Sequence, residues 1–104
     1  MIRLALADDQ VLFRKGLAML LQDMADAQVV LECANGAELL TALAHTPVDI
    51  VLLDLQMPVL DGIATTKRIK QDFPQVKVII LSTHDEEAMI AQLMELGANG
   101  YMLK

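Results

Sequence analysis

The amino-acid sequence predicts an α/β fold with a doubly wound parallel sheet, and three observations lead to this prediction. Five short apolar runs of four to six residues recur along the chain, a length that favours strands over helices. Segments with the 3.6-residue spacing of amphipathic helices separate the runs. The runs are apolar almost throughout, which is typical of parallel strands that helices cover on both faces.

The predicted strands are rich in Val, Ile and Leu, residues that favour extended structure. In chain order they cover Ile2–Ala7, Val29–Cys33, Val48–Leu53, Val76–Leu81 and Gly100–Leu103. No Pro/Gly/Ser-rich linker, internal repeat or low-complexity tract interrupts them. Residues 1–104 are therefore predicted to form a single domain with five strands.

Four helices are predicted between the strands from apolar stripes at helical spacing. The stripes, in order, are Phe13, Leu17, Leu20, Leu21 and Met24; Leu39, Leu40 and Leu43; Ile63, Ile69 and Phe73; and Met89, Ile90, Leu93 and Met94. Asp61 and Asp85 are expected to cap the third and fourth helices at their N-termini. Pro74 should end the third helix, and Gly97 should lie just beyond the fourth.

The composition narrows the class of protein. The formal net charge is −6 and the pI is about 4.6, which argues against direct binding of nucleic acid or an anionic membrane. The lone cysteine, Cys33, lies in an apolar run and is expected to be a buried, inert thiol. No apolar run approaches the roughly 18 residues of a membrane span, and the N-terminus lacks the pattern of a signal peptide. We therefore expect a soluble, cytoplasmic protein with no membrane partner.

Polar residues follow the predicted strands at the edge where α/β sheets usually carry their functional crevice. Asp8 and Asp9 follow the first strand, Asp54 the third, Ser82 the fourth and Lys104 the fifth. If the first and third strands are neighbours, three carboxylates converge, and their mutual repulsion opposes folding unless a cation balances it. A site with only oxygen ligands suits Mg²⁺.

This combination of groups is what phosphoryl transfer requires. A carboxylate can act as the nucleophile, while a metal ion, a lysine and a hydroxyl group interact with the transferred oxygens. The structural alternative is that each aspartate only forms a turn or caps a helix. That alternative accounts for single aspartates better than for the whole set with Ser82 and Lys104.

The residues stand in motifs that resemble response-regulator receiver domains of two-component systems, and among them the NarL/FixJ type with a LuxR-like output domain. The motifs are Leu6-Ala7-Asp8-Asp9-Gln10 with Leu12-Phe13-Arg14-Lys15-Gly16-Leu17, Asp54-Leu55-Gln56-Met57-Pro58 with Asp61-Gly62, Leu81-Ser82-Thr83-His84, and Gly97-Ala98-Asn99-Gly100-Tyr101-Met102-Leu103-Lys104. The resemblance covers essentially the whole chain. It implies a flavodoxin-like sheet with strand order 2-1-3-4-5.

The resemblance also implies a metal site and a phosphorylation site. Asp54 is expected to accept a phosphoryl group from a sensor histidine kinase. Asp9 and Asp54 are expected to bind Mg²⁺ directly, Asp8 to assist through water, and the backbone carbonyl of Gln56 to complete the site.

Three further residues acquire roles from the resemblance. Ser82 is expected to bind the phosphoryl group, Lys104 to pair with its oxygens, and Tyr101 to act as an aromatic switch that turns inward when Ser82 moves. For Tyr101 the alternative is simple packing at the end of the fifth strand. His84 is expected to be a solvated loop residue.

The chain departs from the family pattern at its end. Receiver domains normally continue after the lysine with Pro and a fifth helix, whereas this sequence ends at Lys104. We expect one sheet face to be partly bare, and therefore self-association or reduced stability. The output domain is absent, so DNA binding is expected only through a domain that is not in this chain.

The residues favour a signalling module that is not an enzyme over three other functions. A phosphatase of the haloacid-dehalogenase type would need a second Asp two residues after Asp54, where this chain has Gln56. A flavin-binding domain would have a loop rich in Ser, Thr and Gly after the first strand, where this chain is acidic. An interaction module that does not depend on phosphorylation remains the third alternative.

Overall fold

The computed structural model describes residues 1–83 and 86–104, and it has the predicted doubly wound α/β fold. The elements are β1 (Ile2–Ala7), α1 (Val11–Gln22), β2 (Ala27–Cys33), α2 (Gly36–Leu43), β3 (Ile50–Asp54), α3 (Gly62–Asp72), β4 (Lys77–Ser82), α4 (Glu87–Glu95) and β5 (Gly100–Leu103). Neighbouring strands are parallel, in the order β2-β1-β3-β4-β5. Among the described residues, no helix has the length and apolarity needed to cross a membrane.

All five predicted strands are present, and the ends of three differ from the prediction by one or two residues. The observed strands are Ala27–Cys33 instead of Val29–Cys33, Ile50–Asp54 instead of Val48–Leu53, and Lys77–Ser82 instead of Val76–Leu81. The reason is that apolar residues mark burial, whereas ladder hydrogen bonds define a strand. Val48 and Val76 are buried although they lie outside the strands.

Helices α2, α3 and α4 cover one face of the sheet, as their apolar stripes predict. Alternate strand residues on this face meet helix residues in one buried cluster that includes Ala5, Ala7, Val51, Leu53, Val78, Ile80, Leu39, Leu43, Ile69 and Leu93. Because successive side chains of a strand point to opposite faces, the residues between them face the other side.

The predicted ends of α3 and α4 are observed where the structure describes them. The Asp61 side chain accepts a hydrogen bond from the backbone N–H of Ala64 at 2.9 Å and so caps α3. Gly97 follows α4 with a φ of 109°, a conformation that a side chain would disfavour. The N-cap position of α4 is Glu86. Asp85, the expected cap, and His84 lie outside the described residues.

The opposite face of the sheet is covered less completely, and part of the α1 stripe was assigned wrongly. Leu20 and Met24 were expected to face the core, but they are 71% and 52% exposed. The buried residue of α1 is Ala18 instead, because the helix packs on β1 and β2 at one side of the sheet. On this face Leu81 is buried, while Met102 beside it is 54% exposed. The face is therefore only partly open.

Candidate functional site

Asp8, Asp9 and Asp54 meet at the carboxyl ends of β1 and β3. One carboxylate oxygen from each residue lies within 4.8 Å of the others. The two strands are neighbours in the sheet, so the condition on which the predicted convergence depended is met. Asp8 and Asp54 are buried, whereas Asp9 is exposed. The cluster can therefore be reached from solvent on the Asp9 side.

Asp8 is fixed on three sides by polar contacts. Its backbone N–H donates to the carbonyl of Cys33 at 3.0 Å, and its Oδ1 accepts from the backbone N–H of Gln10 at 2.8 Å. Its carbonyl accepts from Arg14 Nη1 at 2.6 Å. The second carboxylate oxygen, Oδ2, is buried and lies 2.8 Å from Lys104 Nζ. A buried carboxylate oxygen needs positive charge of this kind beside it.

Asp54 is the last residue of β3 and is 5% exposed. Burial raises the pKa of its carboxyl group, and the nearby charge of Asp8 raises the pKa further. Lys104 and a backbone hydrogen bond from Gln56 oppose these effects without cancelling them. The ionised form of Asp54 is thus unfavourable here until positive charge is added to the site.

Lys104 supplies positive charge to the cluster. Its Nζ lies 2.8 Å from Asp8 Oδ2, 3.3 Å from Asp54 Oδ1 and 3.0 Å from Gln10 Oε1. Burial alone would lower the pKa of this amine, but contact with Asp8 and the charges of Asp54 and Asp8 together raise it. The backbone N–H of Lys104 donates to the carbonyl of Ser82 at 2.8 Å. The residue is therefore anchored at both backbone and side chain.

Most of the predicted site residues border one small cavity beside Asp54. The cavity has a volume of about 180 Å³ and is lined by Asp9, Gln10, Asp54, Gln56, Ser82, Thr83 and Lys104. Ser82, the last residue of β4, is 2% exposed. Tyr101 lies elsewhere: it pairs with Ile80 in the sheet and packs half-buried against the main core. The structure thus brings the predicted residues together, apart from Tyr101.

Gly62 allows the loop between β3 and α3 to pack closely against the end of β3. The backbone N–H of Gly62 donates to the carbonyl of Leu55 at 2.9 Å. A Cβ at Gly62 would lie 2.7 Å from the carbonyl oxygen of Asp54 and from Cα of Leu55. Only glycine allows this approach, which fixes the segment that contains Gln56.

Three residues that contact the site were given no role from the sequence: Gln10, Phe13 and Arg14. Arg14 bonds to the Asp8 carbonyl, and the ring centroid of Phe13 lies 4.6 Å from Lys104 Nζ. The sequence did contain a signal, since Gln10 follows two site aspartates and Phe13 comes one helical turn later. Their contact with Lys104, at the other end of the chain, could not be inferred from that spacing.

Comparisons with known proteins agree on one family. Residues 4–104 match the model for the response regulator receiver domain. The chain is 42% identical over 104 residues to the transcriptional regulatory protein LnrK of Bacillus subtilis. The aligned region covers 100% of this chain and 47% of LnrK. The chain thus spans about half the length of the relatives it matches.

Solved structures of response regulators share the fold of this chain. A LuxR-family two-component response regulator from Aurantimonas sp. SI85-9A1 has a TM-score of 0.93 and 32% identity, over 98% of this chain and 73% of that one. RcsB from Salmonella enterica serovar Typhimurium, bound to the promoter rprA in the presence of phosphomimetic BeF3-, has a TM-score of 0.92 and 27% identity. That similarity covers 99% of this chain and 59% of RcsB.

Proposed function

The chain belongs to the response regulator receiver domain family, and from that premise we propose that Asp54 accepts a phosphoryl group as the input step of a signalling switch. The observation that carries this proposal is the environment of Asp54. Its buried carboxylate lies close to two other aspartates and to Lys104. It also borders the small cavity that Ser82 lines. These are the groups that phosphoryl transfer uses.

The proposed reaction is a displacement at phosphorus. A carboxylate oxygen of Asp54 forms a bond to the phosphorus of a phosphohistidine on a sensor histidine kinase, and the P–N bond of that phosphohistidine breaks. The imidazole nitrogen keeps the electron pair of the broken bond and takes up a proton from solvent.

Lys104 and Ser82 are proposed to bind the transferred group. Lys104 Nζ is 3.3 Å from Asp54 Oδ1, so it can pair with a phosphoryl oxygen attached there. Ser82 lines the same cavity from the end of β4, where its hydroxyl can donate a hydrogen bond to a second oxygen. We propose that these contacts pull on the end of β4, and that the Tyr101 ring on β5 responds as a switch.

The donor set fits Mg²⁺. The ligands are all oxygens, and one carboxylate oxygen from each aspartate lies within 4.8 Å of the others, which suits a hard cation. Asp8, Asp9, Asp54 and the backbone carbonyl of Gln56 would hold the ion. When bound, Mg²⁺ balances the negative charge on the carboxylates and the phosphoryl oxygens.

The partners proposed for the intact protein follow from its relatives. A cytoplasmic regulator of the NarL/LuxR type would receive phosphate from a histidine kinase and control transcription through an attached DNA-binding domain. The names of LnrK and of the LuxR-family regulator support this proposal, as does RcsB bound to a promoter. The receiver itself would act as a switch and not as an enzyme.

Self-association is proposed on different grounds. Leu20, Met24 and Met102 are large apolar residues that are each more than half exposed, and burial against a second copy would remove them from water. Sedimentation velocity should show a species larger than a monomer at high protein concentration. Monomeric behaviour up to the highest soluble concentration would count against this proposal.

Phosphorylation by a small donor tests the main proposal. The chain is incubated with acetyl phosphate and Mg²⁺, and intact mass is measured alongside the Asp54→Asn and Asp72→Asn variants. We expect Mg²⁺-dependent gain of one phosphoryl group in the parent and in Asp72→Asn, which alters an exposed aspartate of α3, and none in Asp54→Asn. A folded parent that gains no mass, or an Asp54→Asn variant that still does, would refute the assignment.

A further inference from the structure

The N-terminal end of α1 holds the side chain of Lys104 through two uncharged groups. The Phe13 ring centroid is 4.6 Å from Lys104 Nζ, and Gln10 Oε1 accepts a hydrogen bond from this ammonium group at 3.0 Å. Building on the proposed function, we infer that Gln10 and Phe13 are positioning residues that hold Lys104 beside Asp54 for phosphoryl transfer. Gln10 and Phe13 together form what we call the Lys104 seat.

Lysine needs such support at this position more than most residues do. Its ammonium is a compact charge on a flexible stem, and fixing that stem costs conformational entropy. The Lys104 side chain is nevertheless only 9% exposed, so other residues surround most of its stem. A ring contact and a hydrogen bond on the α1 side restrict the stem where the carboxylates do not reach.

The carboxylates alone would not centre Lys104 on Asp54. Nζ is closer to Asp8 Oδ2, at 2.8 Å, than to Asp54 Oδ1, at 3.3 Å. Any cation bound among the aspartates would weaken the attraction of Asp8 for Lys104. Gln10 and Phe13 are neutral, so their contacts persist under those conditions. The seat therefore keeps the ammonium near Asp54 independently of the charge on Asp8.

The backbone at Gln10 points to the same role. Gln10 occupies the N-cap position of α1 with extended backbone dihedrals, but its side chain makes no capping hydrogen bond. Ser, Thr, Asp and Asn side chains at this position usually accept a hydrogen bond from the first helical turn. Here the side-chain oxygen accepts from Lys104 instead, while the backbone N–H donates to Asp8 Oδ1 at 2.8 Å. Gln10 thus joins the lysine to the acidic cluster.

The first test detects the seat without any phosphorylation. The NMR signals of the Lys104 εCH₂ group should be shifted upfield in the parent by the ring current of Phe13. This shift should disappear in Phe13→Leu and persist in Phe13→Tyr, which keeps the ring. Phe73→Leu, the same substitution at the other phenylalanine of the chain, should leave the shift unchanged. A parent without the upfield shift would overturn the inference.

The second test measures the seat's effect on transfer. The maximal rate of phosphorylation by acetyl phosphate should fall roughly three- to tenfold in Phe13→Leu and in Gln10→Met. The rate should stay near that of the parent in Phe13→Tyr, which keeps the ring. The controls Phe73→Leu and Gln22→Met should also react at about the parent's rate. In a Lys104→Met background, Phe13→Leu should cause no further loss. A purely structural effect of Phe13 would instead lower the rate equally in both backgrounds.

The two tests separate this inference from the proposal on which it rests. A phosphorylated parent whose rate is unaffected by Phe13→Leu and Gln10→Met would refute the role of the seat alone. A parent that shows the ring-current shift but gains no phosphoryl group would refute the proposed function, and the positioning role would fall with it.

Discussion

Gly62 packs against Asp54 so closely that a Cβ at Gly62 would lie 2.7 Å from the Asp54 carbonyl oxygen. Gly62→Ala should therefore displace backbone at the acceptor and lower the free energy of unfolding by about 1–3 kcal/mol. Gly16→Ala is the matched control, because a Cβ at this α1 position would meet nothing within 4 Å. That variant should be as stable as the parent or more stable by up to about 1 kcal/mol.

Urea unfolding measured by circular dichroism distinguishes the two glycine variants, and phosphorylation by acetyl phosphate should be slower in Gly62→Ala only. Equal stability of the two variants would mean that the loop next to Asp54 adjusts to a side chain at little cost.

The raised pKa of Asp54 predicts that its charge destabilises the fold when no metal is bound. Burial and the charge of Asp8 raise the pKa of Asp54. The ionised form is thus disfavoured in the folded state, and stability is lost as pH rises through that pKa. Asp54→Asn should be more stable than the parent at pH 7 in EDTA, and the difference should shrink as the pH is lowered.

Mg²⁺ provides the control for this prediction. It should raise the thermal midpoint of the parent more than that of Asp54→Asn, because ligand binding to the folded state stabilises it. An Asn variant that is less stable than the parent at pH 7 without metal would contradict the sign of the effect.

Val59 adopts a backbone conformation that is unfavourable for a β-branched residue. Its φ is 69°, and the N–H of Leu60 donates to the carbonyl of Pro58 at 2.7 Å, so that Val59 is the central residue of a tight three-residue turn. Its side chain is 80% exposed, and little burial offsets the cost. Val59→Gly should raise the free energy of unfolding by up to about 1 kcal/mol.

Val59→Ala serves as the comparison, since alanine retains a Cβ and hence most of the left-handed penalty. The midpoints of urea unfolding should rise for Gly and not for Ala. If both variants gained the same stability, the cause would be removal of the exposed apolar side chain and not relief of the backbone conformation.

The Arg3–Asp49 pair predicts a loss of stability at acid pH. Arg3 donates hydrogen bonds from its side chain and its backbone to the Asp49 carboxylate, and these contacts lower the pKa of Asp49 from 3.8 to about 2. Because the pKa of Asp49 is lower in the folded state than in the unfolded chain, the pair stabilises the fold at pH values above the pKa of the unfolded chain. This stabilisation is lost as the pH falls toward 2.

Parent and Asp49→Asn should therefore differ in urea midpoint at pH 6 and converge as the pH approaches 2. Both residues are more than a third exposed, so the difference should be small and should narrow further in high salt. In an Arg3→Met background, Asp49→Asn should have a smaller effect at pH 6, because only the backbone N–H at position 3 still donates to the Asp49 carboxylate. A difference that persists unchanged down to pH 2 would exclude this pair as its source.

The sequence alone determined the fold and the location of the candidate site. Apolar runs and helical stripes are local patterns, and they were sufficient to predict five strands, four helices, the Asp61 cap and the Gly97 helix end. The placement of Asp8, Asp9 and Asp54 after strands also followed, because parallel strands end at one edge of the sheet. Their convergence depended on β1 and β3 being neighbours, which the family resemblance implied.

Only the tertiary structure decided which residues at that edge touch one another. The exposure of Leu20 and Met24 could not be deduced from a periodic stripe, because periodicity shows that a helix has an apolar side but not how much of the sheet it covers. The contact of Phe13 with Lys104 joins the first helix to the last residue, and the left-handed φ of Val59 results from how its loop is closed. Such features depend on the distance between segments in space, which local sequence spacing does not encode.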